Sequence, residues 1–371
     1  AESLVKAGLH RLAQLDFDPA RSLLLSSYER GLIEHDILPK PVQRRIKAGR
    51  TTDRFIEQAD AYLQDLATTR DPTTYLKYLN VFILVLPELA TRNQGDLLAR
   101  VFDILARHEA EESPFPGRTR FIREMLANLE SGGFMDQMVR IAVTTPKESR
   151  EPHERAVAMF GDAIVPGLVA SLATMDNASS RKATCSMLVR IGRPTLRFIM
   201  DELRAHRHAW YTVRNLIKVL GDVGDPEAIP AIVEYSAHPN AKVREECLAA
   251  LAKLGGDDTE ALVLPFLGDR EESVVRRAIH HLAGMRATSP AFLARLYETL
   301  RVRSRQEEEP PEALQAVCLR ALMEYERVLL PPQPDFEALL NEIVVPPRLK
   351  SMLPGRLGVR PKSDPLVLLA I

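Results

Sequence analysis

Residues 210–244 read WYTVRNLIKVLGDVGDPEAIPAIVEYSAHPNAKVR, and the order of apolar and breaking residues in this stretch decides the fold. Val213, Leu216, Ile217 and Leu220 recur at the intervals of one helical face. Gly221 and Gly224 follow, where a helix end favours a residue that can take positive φ. Asp225 before Pro226 reads as an N-cap with proline at the first helical position, opening a second, shorter helix over 226–236. After His238-Pro239-Asn240 a new face begins, carried by Val243, Cys247, Leu248, Leu251 and Leu254. A helix of about ten residues with a single apolar stripe is unstable alone, because nucleation costs more than so few hydrogen bonds return. The stretch therefore predicts helix pairs that gain stability by stacking.

Working outward, the pattern repeats. Arg150, Arg181, Arg214, Arg244 and Arg276 open helical patterns at intervals of 31, 33, 30 and 32 residues, the last three preceded by Val213, Val243 and Val275. Glycines close the first helices at Gly161, Gly192, Gly221 with Gly224, Gly255 and Gly284, and second helices are expected over 163–174, 195–203, 226–236, 259–267 and 290–300. A period near 31 is the signature of an array whose modules share one continuous core.

The segments Trp210-Tyr211-Thr212-Val213-Arg214-Asn215, 220–230 (LGDVGDPEAIP) and 238–244 (HPNAKVR) resemble the HEAT-like repeats of bacterial solenoid proteins, the armadillo-type group that includes phycobilisome-lyase-type repeats. The similarity runs over about 150–326. It implies an all-α, right-handed α-solenoid (superhelix) of HEAT-like helix pairs. It further implies a protein-binding scaffold in the bacterial cytoplasm. Lyase chemistry is implied only by a shared repeat type, which says little about activity.

Residues 1–150 are also helical by pattern, over 4–15, 19–33, 52–67, 72–86, 95–108, 118–129 and 134–143, but lack the Arg and Gly rhythm. They are expected to form an irregular helical N-terminal segment, either degenerate repeats or a cap that starts the array, with a break at 111–117. The repeat array is expected over 151–326. Eight prolines between Pro331 and Pro365 mark 327–371 as a connector, and the bare apolar finish at 366–371 points to a longer parent chain with further repeats.

Composition narrows the function. At 371 residues the chain exceeds one hydrophobic core, and its 46% hydrophobic and 27% charged residues are those of an ordinary globular protein. Forty-nine Lys and Arg against 50 Asp and Glu leave a net charge of −1, which argues against a surface wholly given to nucleic acid or anionic membrane. The total conceals an uneven spread. Residues 181–218 hold nine basic against two acidic residues, a local +7, whereas 219–272 hold four basic against twelve acidic, a local −8. Either a partner of complementary charge docks there, or neighbouring repeats neutralise one another.

No cofactor, metal or catalytic centre is expected. Cys185, Cys247 and Cys318 have no C-x-x-C spacing, adjacent His280 and His281 point about 100° apart on a helix, and no H-E-x-x-H, Walker or G-x-S-x-G motif is present. Cys185 and Cys247 fall on apolar stripes, where an inert thiol is the default. The most apolar run, 81–86, is far short of the roughly 20 residues that cross a bilayer. No membrane partner is expected, and 1–14 lacks the form of a signal peptide.

The best single patch is Arg204, His206, Arg207, His208, Trp210, Tyr211 and Arg214, because the one tryptophan of the chain sits there among cations. Trp and Arg are the usual anchors of protein interfaces. The structural alternative has Trp210 capping the core between helices. The repeated Arg is expected to pair with carboxylates of neighbouring turns, Asp222, Asp225, Asp257, Asp258 or Asp269. The expected partner is a protein. Alternatives are nucleic acid bound through 181–218, with the acidic block against it, and a regulatory module of a longer signalling protein.

Overall fold

A computed structural model describes residues 18–130, 133–175, 177–285 and 292. The helices expected at 4–15 and 290–300, the Pro-rich stretch 327–371 and Cys318 lie outside the described residues. Within them every regular element is a helix and none is a strand. The fold is that of an α-solenoid, built as two compact units that part between Thr195 and Leu196.

The first unit contains α1 (Asp18–Glu29), α2 (Lys40–Glu57), α3 (Ala59–Thr68), α4 (Pro72–Thr91), α5 (Gly95–Ala110), α6 (Arg118–Leu129), α7 (Phe134–Thr144), α8 (Glu151–Ala158), α9 (Val165–Thr174) and α10 (Ala178–Ile191). Helices stack on the next but one, α2 on α4, α3 on α5 and α8 on α10. Two expectations need correction. The helix predicted over 52–67 is two helices that part at Gln58, and the first of them already starts at Lys40, with Pro41 in its first turn, where proline favours a helix start. The helix expected to end at Leu86 runs to Thr91 through Pro87. An internal proline costs about 3 kcal/mol. Leu86 and Leu89 are both fully buried, and at about 1.5–3 kcal/mol each they offset it.

The second unit contains α11 (Pro194–Arg204), which starts at the boundary, then α12 (Trp210–Val223), α13 (Ile229–Glu234), α14 (Ala241–Leu254), α15 (Thr259–Val263) and α16 (Glu272–Gly284). The long helices α12, α14 and α16 stack in series, and the short ones pack beside them with 3-10 turns at Pro226–Ala228 and Leu264–Gly268. The predicted stripes form the core: Val213, Leu216, Ile217, Leu220, Val243, Cys247, Leu248 and Leu251 are all buried. Burial pushes the Cys247 thiol up to about 12, so it is neutral and unreactive at physiological pH.

The glycines divide by role. Gly224 ends α12 in the left-handed region at φ +82°, as expected. Gly221, by contrast, lies inside α12 and is buried where α12 crosses α14: a Cβ there would stand 2.7 Å from the Ala250 Cβ.

Buried histidines set a pH dependence. In the first unit the Tyr75 hydroxyl lies 3.0 Å from His108 Nδ1 inside the core, and burial, then the charge of Arg118, holds His108 below its ordinary 6.5. His238 and His281 are lowered chiefly by burial. The unfolded chain takes up protons near 6.5 that the folded chain resists, so stability is full above that pH and falls as the solution is acidified below it. Glu109, raised above 4.5 mainly by burial, works in the opposite direction at the acid end of this window. The melting temperature is expected to be lower at pH 5.5 than at pH 7.5, with a shallower slope in His108→Gln; a thermal scan across that range checks both.

Candidate interaction edge

The repeated arginines do not form one ladder. N-caps stand at Asn177, Ala209, Asn240 and Glu271, spaced 32, 31 and 31 residues apart. Counted from these caps, the fourth helical residue is Arg181, Val213, Arg244 and Val275 in turn, and Arg214 and Arg276 fall one place later. The stripe faces the core at the fourth place and leaves it at the fifth, so Arg244 is buried while Arg214 and Arg276 are exposed.

The more buried arginines have a common task. Arg150 donates to the carbonyls of Thr145 and Val143, Arg181 to that of Met175, and Arg244 to those of His238 and Pro239. Each reaches back five to seven residues and satisfies carbonyls in the loop or last helical turn before its own helix, groups that a helix end leaves without intrahelical partners. Of the five carboxylates expected to pair with the series, Asp269 does so: its two oxygens accept from Arg244 Nε and Nη2 at 2.7 Å each. Asp222 instead binds Lys218 and Lys253, and Asp225 caps the 3-10 turn at Glu227.

The loop before α12 has no such arginine, because Val213 occupies the place. The Leu203 carbonyl, in the last turn of α11 before that loop, accepts from the His206 backbone N–H and is also reached from the other side. The Tyr235 hydroxyl donates to Leu203 O at 2.6 Å, which leaves its oxygen to accept from His206 Nδ1 at 3.0 Å. The His206 ring lies tilted against Tyr235 with centroids 5.6 Å apart, and its backbone sits at φ +49°, a conformation few side chains adopt. Burial raises the Tyr235 pKa, keeping the phenol protonated as a donor. Glu202 holds the rest of the loop, accepting from Arg207 Nη2 at 2.8 Å on one oxygen and lying 2.8 Å from His208 Nε2 on the other.

On this braced loop the predicted patch comes together. Trp210 and Tyr211 open α12 and remain 44% and 38% exposed, with ring centroids 6.0 Å apart in an edge-on arrangement. Trp210 thus stands at the surface and does not cap the core. Arg204 and Arg207 are exposed at the loop's start, paired with Asp201 and Glu202. Arg214, one turn beyond Trp210, pairs with Glu246 of α14 at 3.2 Å. The +7 and −8 blocks therefore neutralise each other in part, through Arg214 with Glu246 and Lys218 with Asp222. Sequence reasoning missed Glu202 and Tyr235, which position this loop.

Residues 196–284 match the HEAT repeats family. The match falls on α11 to α16, where the stacked pairs are most regular. The chain is similar to an engineered protein at 15% identity, with a TM-score of 0.30 over 83% of this chain and 85% of that one. It is similar to human deoxyhypusine hydroxylase in complex with glycerol at 15% identity, with a TM-score of 0.28 over 76% and 99%. A second engineered protein gives 15% identity and a TM-score of 0.22 over 61% and 96%. No curated protein matches the chain.

Among the described residues no cluster of His, Cys, Asp and Glu has the geometry of a metal site, and no single helix is long and apolar enough to cross a membrane. The bent pair Glu151–Ala158 and Gly161–Thr174 meets the criterion by length and composition, but its Val165, Leu168, Val169 and Leu172 are buried in the protein core.

Proposed function

We propose that this chain is a non-catalytic scaffold or adaptor that holds a protein partner in the bacterial cytoplasm, through the loop edge formed by Arg204, His206, Arg207, His208, Trp210, Tyr211 and Arg214. The observation carrying this reading is the exposed Trp210 and Tyr211 pair on a loop already fixed by Glu202 and Tyr235. Exposed aromatics on a rigid support lose little entropy on binding, which is how a few anchors supply most of an interface's energy. HEAT repeats are commonly interaction surfaces, and their presence over 196–284 supports the same reading. His206, His208 and Glu202 are engaged in bracing the loop, which is a structural use of groups that could otherwise act as acids or bases.

In this proposal 1–150 begins the array and 151–326 carries the repeats. The intact chain, used as bait in lysate of its own organism, is expected to retain a defined protein that Trp210→Ala/Arg207→Glu loses at least tenfold. Both positions are exposed, so the variant should fold, and circular dichroism checks that. Equal recovery by both baits rejects the patch.

A further inference from the structure

A second surface, in the first unit and independent of the Trp210 edge, is built differently. Helix α2 reads KPVQRRIKAGRTTDRFIE and carries six cations with a single carboxylate, Asp53, before its last residue. Lys40, Arg44, Lys47, Arg50 and Arg54 line one side of an open groove of about 710 Å³, whose floor includes Ile46, Tyr62 and Val81. Among the described residues no carboxylate lines it.

The fold leaves these charges uncompensated. Asp53 is taken by Arg92 at 2.6 Å, and Arg92 also binds Glu88. Asp36 lies against His35 at 3.4 Å. Arg50 is steadied by a neutral group: its Nη2 donates to the Tyr28 hydroxyl at 2.7 Å, and its guanidinium stands 5.7 Å above that ring. Lys40, Arg44, Lys47 and Arg54 have no ion pair among the described residues. Like charges three and four apart on a helix repel, each pair destabilising it. The α2 series 40, 44, 47, 50, 54 places four such pairs in a row, a strain that an anionic occupant would relieve.

We propose that this groove binds an extended acidic peptide segment. From Lys40 to Arg54 the helix rises about 21 Å, the reach of roughly six extended residues. Carboxylates on such a segment meet the Arg forks of the wall, and apolar residues between them meet Ile46 and Val81 on the floor. Single-stranded nucleic acid would use aromatic faces as stacking platforms. Here those faces are occupied: Tyr62 packs between Phe55 and Tyr78, and Tyr28 is covered by Arg50.

The test is fluorescence polarisation of the full chain with a labelled peptide of alternating Glu and Leu, beside its Gln-for-Glu version and mixed-sequence single-stranded and duplex DNA. The Glu peptide is expected to bind at least tenfold more tightly than the Gln peptide and more tightly than either DNA. Arg44→Glu/Lys47→Glu should weaken it at least tenfold, while Arg120→Glu/Arg140→Glu, an equal change of charge on exposed residues of the same unit, changes it less than twofold. Should the first variant unfold on melting, Arg44→Gln/Lys47→Gln carries the test with an expected loss of about threefold. Trp210→Ala/Arg207→Glu should bind the peptide normally, which separates this groove from the loop edge. Tighter DNA binding, equal binding of the Gln peptide, or equal loss in the charge-matched control overturns the assignment.

Discussion

Arg244→Ala is expected to destabilise the second unit by about 3–5 kcal/mol, the range for breaking a buried ion pair from one side. Arg244 and Asp269 are 5% and 7% exposed, and their pairing is bidentate. Removing the guanidinium leaves the carboxylate buried without its partner and also frees the carbonyl of His238, while that of Pro239 keeps only Arg270 Nη2. Burial alone would push Asp269 up, yet the Arg244 hydrogen bonds, the Glu271 backbone N–H and nearby positive charge together hold it below 3.8. The comparison that makes the result informative is Arg276→Ala. If the five arginines formed one equivalent ladder, the two substitutions would cost alike. Because Arg276 stands one place further round its helix and is exposed, it should cost no more than about 0.5 kcal/mol, as other exposed substitutions do. Urea denaturation of the two variants against the parent reads the difference directly.

Gly221→Val is expected to cost about 3 kcal/mol or more, the upper end of what overpacking does to a tight core. On an exposed helix, replacing glycine with alanine gains up to about 1 kcal/mol. At Gly221 the sign reverses, since a Cβ would lie 2.7 Å from the Ala250 Cβ and 2.9 Å from its Cα, and backbone cannot swing aside as a long side chain can. Relief would require α12 and α14 to move apart, which loosens every contact along their shared stripe. Gly284, exposed and with nothing among the described residues within 4 Å of its Cβ position, is the matched control: Gly284→Val should be neutral or stabilise by up to about 0.5 kcal/mol. Thermal melts of both variants separate close packing from a general dislike of side chains at glycine positions.

Much of the architecture was legible because stacking writes itself into sequence as a period. The stripes over 213–220 and 243–254, the second helices over 163–174 and 195–203, and the break at 111–117 follow from apolar spacing and breakers alone. The arginine register was legible too, but required the stripe and not the Val-Arg pair as the ruler. Leu216, Ile217 and Leu220 match Cys247, Leu248 and Leu251 at a shift of 31, which sets Val213, and not Arg214, opposite Arg244. Helix α2 begins earlier than the apolar spacing over 52–67 indicates, at Lys40, with Pro41 in its first turn, where proline is a starter. The six cations of α2 were visible in the sequence; that five of them line one groove, with Asp53 withdrawn by Arg92, depends on contacts that no local pattern records. The bracing of the Trp210 loop was hidden for a similar reason. Tyr235 reaches a carbonyl 32 residues earlier, and Glu202 divides its oxygens between two neighbours, and neither arrangement recurs from repeat to repeat.

That backward reach from Tyr235 sets an order of events. Proteins open in cooperative pieces, and a piece whose restraint is lent by another cannot outlast its lender. When the 3-10 turn and short α13 that carry Tyr235 come away, Leu203 O keeps the His206 backbone N–H but loses the phenol, and His206 loses its ring partner, so the loop under Trp210 slackens in the same motion. Unravelling that starts downstream would thus travel toward the amino terminus and erase the aromatic edge early, well before the stripe of α12 is exposed.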